Sequence, residues 1–184
     1  APPSRLGRAL REARRLVQDL DGDRLGLVAF AASCYILAPL SIDGAALTLY
    51  LDALDPDVAS EGGTALAPAL RQGGELLRAS PELADRVLVV FTDGEAHDTL
   101  PGILEQAQHL HGLGIHLILV AEGGRQPARI PVRDDRGVLQ GSQRDQNEQV
   151  IETRRRDDLL GAVADAAQGT IVAAELPDQA GAAR

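Results

Sequence analysis

Two segments of this chain carry oxygen ligands at places where an element ends. Gly62-Gly63-Thr64-Ala65-Leu66 is a glycine-rich loop that delivers a threonine hydroxyl to the start of a helix. Thr92-Asp93-Gly94-Glu95 follows the continuous apolar run Arg86–Phe91 and delivers a carboxylate. A hydroxyl and a carboxylate converging on one point suit a hard cation, which takes oxygen ligands in a near-octahedral array. Singly, each has an ordinary reading, Thr64 as a helix N-cap and Asp93-Gly94 as a turn. Their order around an apolar strand joins them into a candidate site. His97 and Asp98 follow closely enough to line its rim.

Other chemistry-bearing residues form no such pair. His109 and His111 are two apart on a predicted helix, so they face different directions. His116 falls in an apolar strand and reads as a satisfied core histidine. Gly112-Leu113-Gly114 follows a helix instead of opening one, so it is no dinucleotide fingerprint. No Gly-x-Ser-x-Gly elbow and no His-Glu-x-x-His occur. All 18 basic residues are arginine, which removes phosphate-loop NTPases, Schiff-base chemistry and lysine general bases. A net charge of -9 with two Phe, two Tyr and no Trp disfavours nucleic acid, for want of both counter-charge and stacking surface. The single Cys34 permits neither an internal disulfide nor a thiolate zinc cluster, and reads as a small core residue. No apolar run approaches the ~20 residues that span a bilayer.

The elements that would position the site alternate. Ser4 caps a predicted helix from Arg5 to Asp19. Strands at Arg24–Phe30 and Cys34–Ala38 form a hairpin, and helices follow at Ile42–Leu54 and Ala65–Ala79. Arg86–Phe91 and Ile115–Ala121 read as strands buried on both faces, separated by a helix at Leu100–Leu113. Residues 123–150 turn polar, with a hairpin near Asp134-Asp135-Arg136-Gly137. This stretch and Arg154-Arg155-Arg156 read as a partner-binding insertion or, more simply, as a solvated hairpin and helix lead-in. A helix at Asp157–Ala167 and a strand at Thr170–Ala174 complete the domain, leaving a frayed tail at 175–184. Alternating strands and helices predict an α/β fold, a doubly wound and mostly parallel sheet flanked by helices. Ligands in such sheets sit beyond the carboxyl ends of the strands.

Pro3-Ser4-Arg5-Leu6, Asp23-Arg24-Leu25-Gly26-Leu27-Val28-Ala29-Phe30, Gly63-Thr64-Ala65-Leu66 and the strand with Thr92-Asp93-Gly94-Glu95 together resemble von Willebrand factor A-type domains. Within these, the chain is most similar to the bacterial Bat (aerotolerance) membrane proteins. The resemblance implies residues 1–174 as one Rossmann-like domain with a Mg²⁺ or Mn²⁺ adhesion-type site. Thr64 and Asp93 match its second and third motifs, and a partner's carboxylate completes the coordination shell. The first motif, Asp-x-Ser-x-Ser, occurs nowhere in the sequence. The expected chain therefore lacks the first central strand and three family ligands, and its metal site is incomplete. The resemblance further implies a non-enzymatic protein-binding module of a bacterial membrane-anchored complex, extracytoplasmic, with sibling von Willebrand A proteins and a MoxR-type AAA ATPase as partners. The alternatives are a metal-assisted hydrolase on a similar sheet and a structural domain with an inactive site.

Overall fold

The computed structural model describes residues 4–54, 63–79, 85–134, 136–145, 147–173, 175 and 179–183. Helix α1 (Arg5–Asp19) starts where the Ser4 hydroxyl accepts the Gly7 N–H at 3.0 Å, satisfying a donor that the first turn leaves without an intrahelical partner. Strands β1 (Leu25–Phe30) and β2 (Cys34–Ser41) form an antiparallel hairpin with Phe30 opposite Cys34. Helix α2 (Gly44–Ala53) is capped by Asp43, whose carboxylate accepts the Ala46 N–H at 3.0 Å. Helix α3 (Leu66–Arg78) buries Leu66, Ala69, Leu70, Gly73 and Gly74.

The next two strands carry the core. Strand β3 (Arg86–Thr92) pairs in parallel with β4 (Ile115–Ala121) along its whole length, across helix α4 (Leu100–Gly112). Beyond β4 lie four short strands: β5 (Ala128–Arg129), β6 (Pro131–Arg133), β7 (Leu139–Ser142) and β8 (Glu152–Thr153). β5 pairs with β8, and β6 with β7. Helix α5 (Asp157–Ala167) then returns the chain to β9 (Thr170–Val172), which adds in parallel to β4. One face of the β3-β4-β9 sheet packs Val90, Leu117, Leu119 and Ala121 against Leu66, Leu70, Ile103, Leu110, Leu160 and Val163 of α3, α4 and α5. The other face holds a smaller cluster of Ile118, Val120, Val172 and Ala183.

Among the described residues, β1 and β3 do not hydrogen-bond to each other, and the hairpin and the parallel sheet are separate ladders. Helix α3 packs against β1, β2 and β3 and so bridges the two. This explains a departure from expectation. The run Arg86–Phe91 is not buried on both faces: Val90 and Thr92 are buried, but Val87 is 43% exposed. β3 is an edge of its sheet, and the doubly covered strand is β4. His116 departs too. It is exposed rather than held in the core, and its Nε2 lies 3.3 Å from the Thr170 hydroxyl. Cys34 is half-buried.

The tail read as frayed contains helix α6 (Gln179–Ala183), with Gln179, Ala180 and Ala183 buried. Polar contacts hold it where apolar patterning gives no sign. The Gln179 amide donates to the carbonyls of Ala121 and Ala173 at 3.2 and 3.3 Å, and the Ala180 N–H donates to Glu12 at 3.3 Å. Glu12 and Glu122 are both buried. Glu12 also accepts from Arg11 and Arg15, each at 3.3 Å. Neither Glu122 oxygen has a hydrogen-bond partner, and the Arg8 Nε stands 3.9 Å away. Burial pushes the Glu122 carboxyl up from its ordinary 4.5 to about 7; Arg8 opposes the shift and Glu12 adds to it.

Leu119 is fully buried, so Leu119→Ala should cost about 2–5 kcal/mol. Val87→Ala should cost under about 1 kcal/mol, since that side chain already meets solvent; urea unfolding distinguishes the two. For Glu122, the folded protein binds more protons than the unfolded chain between pH 4.5 and about 7. Its contribution to stability is therefore fully present below that window and is lost as pH rises through it. Glu122→Gln should remove this fall and raise the urea midpoint at about pH 8 more than at about pH 5. Equal effects at both would show that Glu122 does not titrate there.

Candidate functional site

The site edge is built where β3 ends. Thr92 is buried, and its hydroxyl accepts the Gly94 N–H at 3.1 Å. Gly94 takes φ +77, and a Cβ there would stand 3.0 Å from the Arg156 carbonyl, so only glycine fits the turn. The Asp93 carbonyl accepts the Arg156 N–H at 2.8 Å, and its Oδ1 accepts the Glu95 N–H at 3.1 Å. These bonds turn the chain sharply and leave the half-buried Asp93 carboxylate at the carboxyl end of the sheet.

Thr64 reaches the same neighbourhood through His97. The Thr64 N–H donates to His97 Nδ1 at 3.0 Å, and the His97 N–H donates to the Thr64 carbonyl at 2.9 Å. This two-way stitch joins the loop before α3 to the loop after β3. The ring proton of His97 then belongs on Nε2, because Nδ1 serves as acceptor. Thr64 is not the N-cap of α3. That position is Ala65, and Asp98 supplies the capping oxygen by accepting the Ala67 N–H at 2.7 Å. His97 and Asp98, read as rim residues, thus fasten the two loops and cap a helix.

The largest surprise at this edge is Arg5. Its Nη1 donates to Asp93 Oδ2 at 2.6 Å and to the Thr153 hydroxyl at 2.7 Å, and its Nη2 to the Thr153 carbonyl at 3.3 Å. The Thr153 hydroxyl in turn donates to Glu95 Oε2, and Glu95 Oε1 accepts the Arg154 N–H at 2.9 Å. Arg5, Glu95 and Thr153 were not singled out from the sequence as ligands. The signals in the sequence were Arg5 within Pro3-Ser4-Arg5-Leu6 and Glu95 within Thr92-Asp93-Gly94-Glu95. Beside this network, Ser4, Arg8, Glu122 and Gly124 line a cavity of about 360 Å³.

The arginine run after β8 is also more than a solvated lead-in. Arg155 is buried and donates to Asp157 at 2.5 Å and to Glu175 at 3.0 Å, and its hydrogen bonds hold both carboxyls below their ordinary range. Arg156 does the same for Asp158, whose carboxyl falls to about 2.

Among the described residues, no group of three or more His, Cys, Asp or Glu side chains is arranged to hold a metal. The donor chemistry of the edge nonetheless suits a cation. Asp93 Oδ2 holds the Arg5 guanidinium, a cationic group, at 2.6 Å, and the Thr64 loop is tied to the Asp93 loop through His97. Two protein oxygens are a partial shell; Mg²⁺ commonly keeps several waters.

The family profile described as von Willebrand factor type A domain matches residues 1–95. The crystal structure of an aerotolerance-related membrane protein from Bacteroides fragilis superposes with a TM-score of 0.87 at 26% identity, covering 99% of this chain and 86% of that one. The conserved hypothetical protein BatB from Bacteroides thetaiotaomicron gives 0.84 at 30% identity, covering 94% and 80%. The manganese-loaded TRAP protein of Plasmodium vivax shares the fold, with a TM-score of 0.53 at 20% identity over 62% of this chain and 49% of that one. No curated protein matches the chain. No described helix is long and apolar enough to cross a membrane. Sequence profile, sheet and neighbours agree: the chain belongs to the von Willebrand factor type A domain family and is similar to the Bat aerotolerance-related proteins.

Proposed function

We propose that the domain is a non-enzymatic protein-binding module in which Thr64 and Asp93 hold a divalent cation, Mg²⁺ or Mn²⁺, with an acidic side chain of a partner completing its coordination. The observation that carries this reading is the Asp93 carboxylate, placed at the carboxyl end of β3, neutralised by a cation and tied through His97 to the Thr64 loop. Bound there, the ion supplies a hard Lewis-acid point for a carboxylate. Thr64 contributes a neutral oxygen and Asp93 a charge, so Asp93 governs affinity more strongly. His97 uses Nδ1 on the Thr64 backbone, which leaves it poorly placed as a base toward Asp93. Capture rather than bond chemistry is the better account of such an edge. Similarity to the Bat proteins supports a place in a membrane-anchored complex, with sibling von Willebrand A proteins and a MoxR-type AAA ATPase as candidate partners.

Titration with Mn²⁺, followed by the electron spin resonance of the free ion, should show binding that Asp93→Ala weakens at least about tenfold. Thr64→Ala should weaken it less, with the fold of both variants retained because both residues sit outside the core. A random peptide library selected on the immobilised domain in Mn²⁺ should yield peptides rich in Asp and Glu, released by EDTA. Selection of peptides without acidic residues, indifferent to EDTA, would sink the proposal.

A further inference from the structure

Both oxygens of Asp93 are already engaged: Oδ1 by the Glu95 N–H at 3.1 Å and Oδ2 by Arg5 at 2.6 Å. The same Arg5 nitrogen that holds Asp93 also holds the Thr153 hydroxyl at 2.7 Å, and Glu95 accepts hydrogen bonds from that hydroxyl and from the Arg154 N–H. Strand β8, which follows the polar 123–150 insertion and pairs with its β5, is therefore clipped to the candidate site through one guanidinium and one carboxylate. The ladders of this region, β5 with β8 and β6 with β7, are internal to it, and its residues are mostly exposed. The route of the arginine is also provided for. Gly123 takes φ +81, and a Cβ there would stand 2.6 Å from Arg5 Nε. The side chain crosses the backbone where no other residue would leave room.

We infer that Arg5 is an internal competitor for the cation position at Asp93 and the latch that holds the β8 end of the insertion against it, so that cation entry and loosening of that end are one event. The competition rests on the metal reading above; the latch does not. A guanidinium and a divalent ion cannot share Asp93 Oδ2, since two cations at contact distance on one carboxylate repel strongly in a half-buried site. Arg5 holds Asp93 and the Thr153 hydroxyl through the one nitrogen Nη1 and the Thr153 carbonyl through Nη2 at 3.3 Å, so displacing the guanidinium loosens all three bonds. At the β8 end what remains is Glu95, with its hold on Thr153 and Arg154 no longer braced by the arginine, while the other end stays tied by Arg125 to Asp157 at 2.6 Å and by Arg155 to the Gly123 and Gly124 carbonyls. Arg5 is thus a positioning residue. It keeps the edge neutral and the β8 end of the insertion docked when no ion is present, and an ion-bound edge leaves that end loosened toward a partner.

The test uses hydrogen exchange read by mass spectrometry over residues 150–155, in EDTA and in Mn²⁺, with free Mn²⁺ measured in the same samples. In EDTA, Arg5→Gln should raise exchange at the Arg154 amide by about tenfold, the loss expected for charge-assisted hydrogen bonds. The amides of α4 and β4 should stay protected, which separates an opened latch from an unfolded domain. Thr153→Val cuts the latch from the insertion side without touching α1 and should give the same rise. Wild type should reach that level on adding Mn²⁺, whereas Arg5→Gln should gain nothing further and should bind Mn²⁺ about tenfold more tightly. Unchanged exchange at Arg154 in both variants in EDTA overturns the latch. Mn²⁺ binding to wild type with no change in exchange, or equal affinity in Arg5→Gln, overturns the competition alone. No Mn²⁺ binding to either protein overturns the metal reading and the competition with it, while the EDTA arm still decides the latch.

Discussion

The parallel pairing of β3 with β4 is the constraint from which the rest of the structure follows. Parallel strands cannot be joined by a tight turn, so α4 must cross over one face, and a return through α5 brings β9 alongside. The same pairing sends both strands out of the sheet at one edge. Thr92 lies opposite Ala121, and the Glu122 N–H donates to the Thr92 carbonyl at 2.9 Å. Asp93 and Glu122 are thereby neighbours in the fold, although 29 positions separate them in sequence. An edge with two acidic residues leaving adjacent strands must find counter-charges or protons.

It finds mostly arginine. The fork of a guanidinium can satisfy several oxygens at once and stays charged when buried, which suits a chain with no lysine. Arg5 binds Asp93 and Thr153, Arg155 binds Asp157 and Glu175, and Arg156 binds Asp158. Each of these joins segments that come from different elements or fixes the start of α5. Glu122 is solved differently. No donor reaches its oxygens, and burial keeps its proton on toward neutral pH. The edge thus holds one carboxylate tied up by a cation and one whose burial favours its protonated form.

The similarity to the Bacteroides aerotolerance-related protein covers 99% of this chain, so the 123–150 insertion lies within the span shared with that neighbour. In this chain the insertion touches the body through Arg5 and Glu95, through Arg155, whose N–H donates to the Gly124 carbonyl at 2.8 Å, and through Arg125, which binds Asp157 at 2.6 Å. A surface attached at so few points is suited to move when one of them is withdrawn.

Much of the fold was legible from periodicity. The amphipathic stripe of Arg5–Asp19 and the apolar runs at Arg86 and Ile115 each became the expected element, because hydrophobic spacing and local caps act over a few residues. Thr64 and Asp93 could be singled out as candidates in the same way, since loop chemistry at strand and helix ends is a local property; as metal ligands they are part of the proposal. What those residues touch was not. Burial of β3 depends on which strands flank it, so Val87 came out exposed where the run alone reads as buried on both faces. Helix α6 is held by the Gln179 amide and by Glu12, contacts to carbonyls and carboxylates far along the chain that leave no apolar period. The Arg5–Asp93 pair spans 88 positions. A charge in sequence declares its sign but not its partner; the partner is chosen by the sheet that brings the first turn of α1, the end of β3 and the last residue of β8 to one edge.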